Sequence, residues 1–288
     1  MKKILIFGAK GMLGNDLIKV FKNQNLILWD KEEIDITNEN LLNKKIVQLK
    51  PAIIINVAAY TDVDGCETNE NLAMKVNAYS IEYLAKVCKK INAILIQIST
   101  DYVFHGDKRD GYKENDIPKN PLNVYGKSKL LGEELLLKIQ PKFYLIRTAW
   151  LYGHYGKNFV DTILKIAKEK IEKGEKSMEV VNDQHGSPTF TLDLAKRIKK
   201  ILEWKKPFGI YHVTNNQYCA WYDFALEILK ISKIKIKVEP CSTKDFLRPA
   251  LRPEYSILLN TKLPKMRSWK KALEEYLIVS ESEYLKNK

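Results

Sequence analysis

Short apolar segments alternate with helical segments through the first half of the chain, and this alternation constrains the fold more than any other feature. The predicted strands are residues 3–7, 26–29, 52–56, 93–99 and 143–147, and the predicted helices between them include residues 80–90 and 125–137. Helices that alternate with strands in this way cross over a sheet whose strands run parallel. We therefore predict an α/β fold with a doubly wound parallel sheet that is covered by helices on both faces.

The second half of the chain is less regular. Residues 158–171, 192–204 and 221–231 have helical apolar spacing, and residues 209–213 are predicted to form a strand. Residues 233–238 alternate polar and apolar side chains, which is the period of a half-buried strand. Without a long linker or an internal repeat, any second unit has to pack closely on the first.

Three glycines lie between the first predicted strand and the following helix. Gly8 is followed by Gly11, Met12, Leu13 and Gly14, and an apolar helical pattern begins directly after them. Glycines let a backbone approach a pyrophosphate, and a helix N-terminus supplies free N–H groups and a favourable dipole. The spacing is G-x-x-G-x-x-G rather than G-x-G-x-x-G. It predicts a Rossmann-like dinucleotide site, and the simpler alternative is a turn that holds no ligand.

An acidic residue ends the second predicted strand about twenty residues after the glycines, where a ribose-binding carboxylate is expected. This residue, Asp30, favours NAD, whereas Lys10 and Lys31 are placed to pair with the 2′-phosphate of NADP. The sequence leaves both cofactors open. Asp35 and Ile36 follow, and they either flank an adenine ring or form an ordinary helix-capping turn.

Tyr125 and Lys129 lie four residues apart in a predicted helix and therefore share one face. A free tyrosine has a pKa of about 10 and gives up its proton reluctantly at neutral pH, and an adjacent ammonium lowers that pKa. Tyr125 is then a candidate general acid toward a carbonyl oxygen. Alone the pair is a weak signal, because tyrosine and lysine at this spacing are common on solvated helices.

Ligands of open parallel sheets bind beyond the carboxyl ends of the strands. This rule places four segments of the chain along one rim of the predicted sheet. They are residues 8–14; Ala58, Ala59 and Tyr60; Ser99, Thr100, Asp101 and Tyr102; and Thr148, Ala149 and Trp150.

Together these motifs resemble the dTDP-4-dehydrorhamnose reductases, a family of extended short-chain dehydrogenase/reductases. The resemblance extends from the first strand to about residue 260. Besides the glycines it rests on residues 56–61, 77–78, 99–104, 125–129, 147–153, 158–159, 183–189, 221–225 and 252–256. The last four segments are more specific than a glycine loop, because the broader superfamily does not share them.

The resemblance implies a reaction and roles for three residues. The reaction is reduction of the C4 ketone of dTDP-4-dehydro-6-deoxy-L-mannose to dTDP-L-rhamnose for cell-surface polysaccharide synthesis, with NADPH or NADH as hydride donor. Tyr125 is expected to protonate the developing alkoxide, and Lys129 to lower the pKa of Tyr125 and bind the nicotinamide ribose. Thr100 is expected to polarise the carbonyl through its hydroxyl, unless it merely ends a strand.

Further residues are assigned by the same resemblance. Cofactor contacts are implied for Gly8, Gly11, Met12, Leu13, Gly14, Asp30, Asp35, Ile36, Ala58, Ala59, Tyr60, Asn77, Ser99, Tyr125 and Lys129. Substrate contacts are implied for Asp101, Tyr102, Trp150, Asn158 and Arg252. Alternatives stay open: Asp101 as a turn cap, Trp150 as packing between domains and Arg252 as a surface charge. Asn77 either orders backbone or water near the site or satisfies a helix amide.

The resemblance also predicts how the chain is divided. Residues 1–151 and 187–213 are expected to form the dinucleotide-binding domain, and residues 152–186 and 214–288 a smaller α/β substrate-binding domain. Some relatives hold Mg²⁺ between subunits with acidic side chains, and those positions are Asn15 and Leu192 here. A metal-bridged dimer is therefore doubtful, no metal site is predicted, and a monomer and a homodimer both remain open.

The net charge of +13 raises the question of a polyanionic partner. The lysines are spread over most predicted helices, so we interpret them as a solvated surface that also attracts a nucleotide diphosphate, and we expect no nucleic-acid partner. No apolar run approaches the ~18 residues of a membrane span. The four cysteines form no C-x-x-C pair. We therefore expect a cytoplasmic protein with reduced thiols and no membrane partner.

Other functions share part of this set of residues. Nucleotide-sugar dehydratases share the tyrosine–lysine pair but have a glutamate where this chain has Tyr102. A non-catalytic cofactor-binding subunit of the methionine adenosyltransferase β type is a second alternative, and the presence of Thr100, Tyr125 and Lys129 counts against it. Reduction of another nucleotide deoxysugar stays open. Charge-driven nucleic-acid binding would have to show salt-dependent affinity.

Overall fold

The structure is a computed structural model that describes residues 2–286. Its strands are β1 (Lys3–Phe7), β2 (Asn25–Trp29), β3 (Ile53–Asn56), β4 (Ile94–Thr100), β5 (Lys142–Thr148), β6 (Leu151–Tyr152), β7 (Ser177–Val181), β8 (His185–Gly186), β9 (Thr189–Phe190), β10 (Gly209–His212), β11 (Cys219–Ala220) and β12 (Lys237–Cys241). Its helices are α1 (Met12–Val20), α2 (Glu39–Leu49), α3 (Val63–Thr68), α4 (Glu70–Met74), α5 (Ser80–Ile91), α6 (Val124–Ile139), α7 (Phe159–Glu172), α8 (Thr191–Glu203), α9 (Trp221–Ile231) and α10 (Trp269–Lys286). A π-helical turn covers Lys75–Tyr79 and a 3₁₀ turn Asp101–Val103.

One parallel sheet organises the chain, with the strand order β10-β5-β4-β3-β1-β2. The order changes direction at β1, because β2 lies on one side of it and β3 on the other. Ligands of such sheets bind at this switch point, beyond the carboxyl ends of the strands. Phe7 pairs with Asn56 and Thr100 with Thr148 at those ends. The predicted doubly wound parallel sheet is confirmed.

The strands of the sheet are apolar on both faces because both faces are covered. In β1, Ile4 and Ile6 pack into a core with α1 and α8, whereas Leu5 and Phe7 pack into a second core with α2, α5 and α6. A strand buried on both sides shows a continuous apolar run instead of alternation. This is the pattern from which the sequence predicts the strands.

A third core lies under the short strand pairs, in which β7 pairs with β12, β8 with β11, and β6 with β9. It includes side chains of α7, α9 and α10, such as Val160, Phe224 and Trp269. Phe190, predicted to lie in the first domain, also packs here. The predicted domain bounds remain a proposal. Residues 1, 287 and 288 fall within those bounds but lie outside the described residues.

The strand predicted at residues 233–238 is wrong in position. Strand β12 begins at Lys237 and ends at Cys241, where it pairs in parallel with β7. Ile234 and Ile236 pack against the third core from an irregular segment. The alternation thus reflects the burial of every second side chain, which does not require strand pairing. Sequence analysis predicts neither α2 nor α10.

Candidate active site

A cleft of about 1600 Å³ lies at the carboxyl ends of β1, β3, β4 and β5. It brings together most of the predicted ligand-binding residues. These are Gly8, Gly11, Met12, Leu13, Asp30, Asp35, Ile36, Ala58, Ala59, Ser99, Thr100, Asp101, Tyr125, Lys129 and Trp150. The predicted residues Gly14, Tyr60, Asn77, Tyr102, Asn158 and Arg252 lie outside its lining.

The glycine loop joins β1 to α1 in a conformation that side chains would disrupt. Gly8 has a φ of 74°, which glycine adopts without strain. A Cβ added to Gly14 would lie 2.2 Å from the carbonyl oxygen of Gly8. Gly11 is the N-cap of α1 and provides no side-chain cap. The first-turn N–H groups are therefore available to an anion at the cleft wall.

Gly14→Ala is expected to lower the free energy of unfolding by about 3 kcal/mol, since the added methyl has to displace backbone oxygens of Gly8 and Ala9. Gly11→Ala is the matched control, because its Cβ would lie 3.2 Å from the same oxygen of Gly8 and meet no closer atom. Urea unfolding at neutral pH measures both variants. Equal stabilities of the two variants would contradict this account of the loop.

Asp30 shapes the loop from the end of β2. Its carboxylate accepts the backbone N–H groups of Lys10 and Lys31, each at 2.9 Å. The Lys10 ammonium lies 3.0 Å from a carboxylate oxygen of Glu32, and both side chains are exposed. Asp35 accepts hydrogen bonds from the backbone N–H and the hydroxyl of Thr37 at 2.8 and 2.7 Å, so it forms a capped turn at the cleft wall.

Helix α6 places Tyr125 beside the end of β4. Asn123 caps the helix, and its Oδ1 accepts the N–H of Gly126 at 2.7 Å. A Cβ on Gly126 would lie 2.3 Å from the carbonyl oxygen of Tyr102. Because glycine allows this approach, the first turn of α6 packs on the turn after β4, and Tyr125 lies beside Thr100.

Lys129 follows Tyr125 by one helical turn and is buried, with its Nζ donating to the carbonyl oxygen of Ile98 at 2.8 Å. Burial lowers the pKa of Lys129 to about 8. Desolvation raises the pKa of Tyr125 well above its usual range, and hydrogen bonding with Thr100 opposes this only in part. The net pKa of Tyr125 is thus raised by burial, and the lowering effect expected of Lys129 stays a prediction. Tyr125 is protonated at neutral pH, as a general acid must be.

The hydroxyl of Thr100 already has partners within the protein. Its Oγ1 donates to Oδ1 of Asp101 at 2.9 Å and accepts the N–H of Tyr102 at 3.2 Å. A hydroxyl carries a single proton. The predicted donation from Thr100 to a substrate carbonyl therefore competes with the bond to Asp101.

Asp101 is 2% exposed, and burial raises its pKa from 3.8 to about 6, while hydrogen bonds with Ser256 and Thr100 act in the opposite direction. Compared with the unfolded chain, the folded state therefore favours the protonated form of this carboxyl group.

We expect the stability of the wild type relative to Asp101→Asn to fall by about 2–3 kcal/mol as pH rises from 4 through 6. Urea unfolding across this range tests it. A constant difference between wild type and Asp101→Asn over this range would contradict the prediction.

Arg252 joins two segments that are distant in the chain. Its guanidinium binds both carboxylate oxygens of Asp64 at 2.6 and 3.0 Å. This pairing lowers the pKa of Asp64 to about 2, and Arg252 also hydrogen-bonds Tyr102. Arg252 is therefore held in place and is not an isolated surface charge. Sequence analysis missed Asp64, because its partner is 188 residues away.

Trp150 has a φ of 47° and stacks on Trp221, with ring centroids 3.4 Å apart. A Cβ on Gly186 would lie 2.3 Å from the Trp150 indole. The ring also lines the cleft. Trp150 therefore fills the junction between the large sheet and the third core, one of its two predicted roles, and its edge remains accessible to a ligand.

The two asparagines predicted to contact ligands, Asn158 and Asn77, form hydrogen bonds within the protein. Asn158 caps α7 by accepting the N–H of Asp161, and its amide donates to the carbonyl oxygen of Gly153 at 3.0 Å. Its polar atoms are thus occupied away from the cleft, so its predicted contact with substrate is not supported. Asn77 bonds the backbone N–H and C=O of Tyr60 at 2.9 and 3.0 Å. It orders the segment after β3, one of its predicted roles.

Sequence analysis missed an ion pair beneath the cleft. Glu133 of α6 and Arg147 of β5 are 2% and 1% exposed, and their charged atoms approach to 2.6 Å. Glu133 also accepts the hydroxyl proton of Ser99 at 2.5 Å. Glu133 lies one turn after Lys129, and its charge raises the pKa of that lysine against the effect of burial.

Residues 2–286 contain neither a candidate metal cluster nor a candidate membrane-spanning helix. The described side chains include no group of three or more His, Cys, Asp or Glu that could hold a metal ion. At one position where the resemblance suggests a metal ligand, the Asn15 amide donates to carbonyl oxygens of Lys10 and Gly11 at 3.0 Å. Over the same described range, no helix has the length and apolar character of a membrane span.

Comparison with known proteins identifies the family. The family model described as RmlD substrate binding domain matches residues 1–281. The spore coat polysaccharide biosynthesis protein SpsK of Bacillus subtilis (strain 168) is 38% identical over 96% of this chain and 97% of its own length. A dTDP-4-dehydrorhamnose reductase structure from Clostridium acetobutylicum is 43% identical, with a TM-score of 0.91 over 97% of this chain and 99% of that one. The corresponding Bacillus anthracis enzyme, solved with NADP, is 38% identical, with a TM-score of 0.91 over 96% and 99%. The resemblance seen in the motifs is confirmed, and the chain belongs to the RmlD substrate binding domain family.

Proposed function

We propose that the protein reduces the C4 ketone of dTDP-4-dehydro-6-deoxy-L-mannose to dTDP-L-rhamnose with NADPH. The observation that carries this proposal is the arrangement of Thr100, Tyr125 and Lys129 in one wall of a cleft whose other wall is the glycine loop. The cleft is large enough for a dinucleotide and a nucleotide sugar together. The Clostridium and Bacillus anthracis structures are named for this reductase activity.

The proposed chemistry follows from the protonation states of Tyr125 and Lys129, which line one wall of the cleft. When bound, the reduced nicotinamide supplies the hydride that adds to C4 of the ketone. Tyr125 transfers its phenolic proton to the ketone oxygen as negative charge develops there. Lys129, with a pKa of about 8, carries a positive charge at neutral pH and stabilises the resulting phenolate.

Further residues position the two ligands. The glycine loop and the free N–H groups of α1 hold the cofactor pyrophosphate, with Asp35, Ile36, Ala58 and Ala59 along the adenosine side. Arg252, fixed by Asp64, attracts the substrate diphosphate from the opposite side. Tyr102 and Trp150 border the sugar between them. Position in the cleft lining supports the roles of Asp35, Ile36, Ala58, Ala59 and Trp150. The charge of Arg252 supports its role, and Tyr102 is assigned with it because the two side chains hydrogen-bond each other.

We propose NADPH as the preferred donor and NADH as a poorer one. Both oxygens of Asp30 already accept backbone N–H groups, so this carboxylate shapes the loop and is less available to a ribose hydroxyl. Within the described part of the chain, Lys10 pairs with the exposed carboxylates of Glu32 and Glu33, and it can exchange them for a 2′-phosphate. Lys10→Gln is therefore expected to raise KM for NADPH more than KM for NADH. An equal change for both cofactors would contradict this preference.

The alternatives fit the site less well. A non-catalytic cofactor-binding subunit does not need a protonated tyrosine beside Thr100 and Lys129. A dehydratase needs a base where Tyr102 lies, and burial raises the pKa of that phenol above its usual range. The relative SpsK is named for polysaccharide synthesis, which supports a role in making a cell-surface polysaccharide. We further propose a cytoplasmic monomer or homodimer.

The test is oxidation of NADPH and NADH by the purified protein with dTDP-4-dehydro-6-deoxy-L-mannose. dTDP-4-keto-6-deoxy-D-glucose and a UDP-linked keto sugar serve as comparison substrates. Turnover with the first substrate and formation of dTDP-L-rhamnose support the proposal. Turnover restricted to another keto sugar would replace the substrate, and no turnover with a protein that binds nucleotide would overturn the activity.

A further inference from the structure

Two arginines share one carboxylate close to Tyr102. Arg252 donates to both oxygens of Asp64 at 2.6 and 3.0 Å, and Nη1 of Arg248 donates to Oδ2 of the same residue at 3.3 Å. The hydrogen bond from Arg252 is the largest of the effects that lower the pKa of Asp64 to about 2. Asp64 is therefore a carboxylate at neutral pH, and the three charged side chains together carry one unbalanced positive charge.

The two arginines are held differently. The Arg252 side chain is 13% exposed and binds Asp64 at two points, whereas the Arg248 side chain is 51% exposed and reaches Asp64 with one nitrogen. That contact is longer than the roughly 2.7–2.9 Å of a strong charge-assisted hydrogen bond. An exposed ion pair of this kind contributes little to stability. Arg248 can therefore exchange Asp64 for another anion at low cost.

The backbone between the two arginines is already fixed. Ala250 is buried and its N–H donates to Oδ1 of Asp64 at 3.2 Å, and the carbonyl oxygen of Leu251 accepts the side-chain amide of Asn123 at 2.7 Å. Pro249 restricts the backbone further, because its ring fixes φ. Both guanidinium groups thus project from one ordered segment, so an anion that binds them does not have to order this backbone.

This pair of arginines lies one aromatic ring away from the candidate general acid. Arg252 hydrogen-bonds Tyr102, whose ring meets the ring of Tyr125 edge-on at 5.9 Å between centroids. In a nucleotide sugar the diphosphate is attached to C1, which lies across the sugar ring from C4. With Tyr125 at the C4 ketone, the diphosphate therefore lies one sugar ring away, a spacing like the one that Tyr102 sets between Tyr125 and Arg252.

The diphosphate needs more positive charge than Arg252 supplies. It carries two negative charges, one on each phosphate, whereas the guanidinium of Arg252 is already shared with the carboxylate of Asp64. Guanidinium groups match phosphate oxygens in charge and in the geometry of their donors. Arg248 provides the unbalanced positive charge of the cluster on a side chain that is free to turn toward the second phosphate.

We propose that Arg248 is a second ligand of the substrate diphosphate, which leaves Asp64 when the nucleotide sugar binds and pairs with the phosphate that Arg252 does not hold. The inference rests on the proposed reductase function and adds a residue outside the shared motif at residues 252–256. Asp64 has two roles in this arrangement, because it fixes Arg252 and keeps Arg248 beside it until the diphosphate binds.

Titration calorimetry with dTDP tests this contact without a keto sugar or a cofactor. Arg248→Gln should raise Kd for dTDP about tenfold, because a charge-assisted contact with phosphate is lost. The increase of Kd with salt should be less steep in this variant than in the wild type. Arg248→Lys keeps the charge but not the fork of donors, so its Kd should lie between these two. Kd for NADPH should stay unchanged, which also shows that each variant is folded.

Arg109 provides the matched control. It is an exposed arginine that lies over the ring of Tyr255 at 5.6 Å, much as Arg248 lies over the ring of Phe246 at 5.1 Å. Arg109→Gln removes the same charge from the surface and the same kind of ring contact. It should leave Kd for dTDP and its dependence on salt unchanged.

The other outcomes also decide the question. A Kd for dTDP in Arg248→Gln equal to that of the wild type would overturn the assignment. An increase with an equal loss of NADPH affinity, or with the salt dependence of the wild type, would also overturn it, because Arg248 would then support the fold of its segment. Absence of dTDP binding to the wild type would rule out the diphosphate site itself. Absence of turnover with every keto sugar, in a protein whose dTDP binding depends on Arg248, would instead overturn the reductase proposal and leave the diphosphate site in place.

Discussion

Tyr125→Phe is expected to lower kcat by about 10²- to 10⁴-fold, which is the range for removal of a general acid. The phenyl ring keeps the packing of the helix, including the edge contact with Tyr102 at 5.9 Å between ring centroids. Only the proton that would reach the ketone oxygen is lost. Cofactor affinity should therefore remain close to that of the wild type, and the single-turnover rate should fall as far as kcat does. Stopped-flow oxidation of NADPH, together with titration of bound cofactor, measures both.

Tyr102→Phe is the matched control for this variant. Tyr102 lies beside Tyr125, but its hydroxyl bonds Arg252 instead of Thr100. Its loss should raise KM for the nucleotide sugar and lower kcat less than about tenfold. If Tyr102→Phe were the inactive variant and Tyr125→Phe retained turnover, the assignment of the acid to Tyr125 would be refuted.

Arg147→Met is expected to lower the free energy of unfolding by about 3–5 kcal/mol, because it leaves the Glu133 carboxylate buried without its counter-charge. Both side chains are almost fully buried, and the guanidinium Nε and Nη2 atoms contact the carboxylate between 2.6 and 3.1 Å. A methionine of similar length fills the space but supplies no charge. Urea unfolding at pH 7 gives the value.

The double variant Glu133→Gln with Arg147→Met tests whether the loss comes from an unpaired charge. Removing both charges should recover a large part of the stability lost in Arg147→Met alone. Removing the exposed pair of Lys165 and Glu169 serves as the control and should leave stability unchanged, because both side chains are solvated. A double variant no more stable than the single variant would show that packing around Arg147, and not charge, determines the loss.

The large parallel sheet and the turn that follows β1 could be predicted from the sequence alone. Each strand of the large sheet that it predicts is present, because a strand covered on both faces must be apolar throughout and helices must alternate with it. Gly8 and Gly14 predict the tight turn between β1 and α1, since one needs a positive φ and the other a close backbone contact that a side chain would prevent. Tyr125 and Lys129 are placed on one face by helical spacing. These features depend on residues close together in the chain, so local pattern is informative.

What the sequence could not determine depends on residues far apart in the chain. Asp64 meets Arg252 and Glu133 meets Arg147 only because the sheet and the C-terminal segment bring them together. Asn158, a predicted substrate contact, is used as a helix cap.

The tertiary structure also decided the protonation of the site. Desolvation raises the pKa of Tyr125 although a lysine lies one turn away, and the Nζ of that lysine donates to a backbone carbonyl. The proton of Thr100 is directed at Asp101. Helical spacing and strand periodicity define which face a side chain occupies. The partner that a polar group finds, and hence its charge and chemistry, is set by the three-dimensional packing of distant segments.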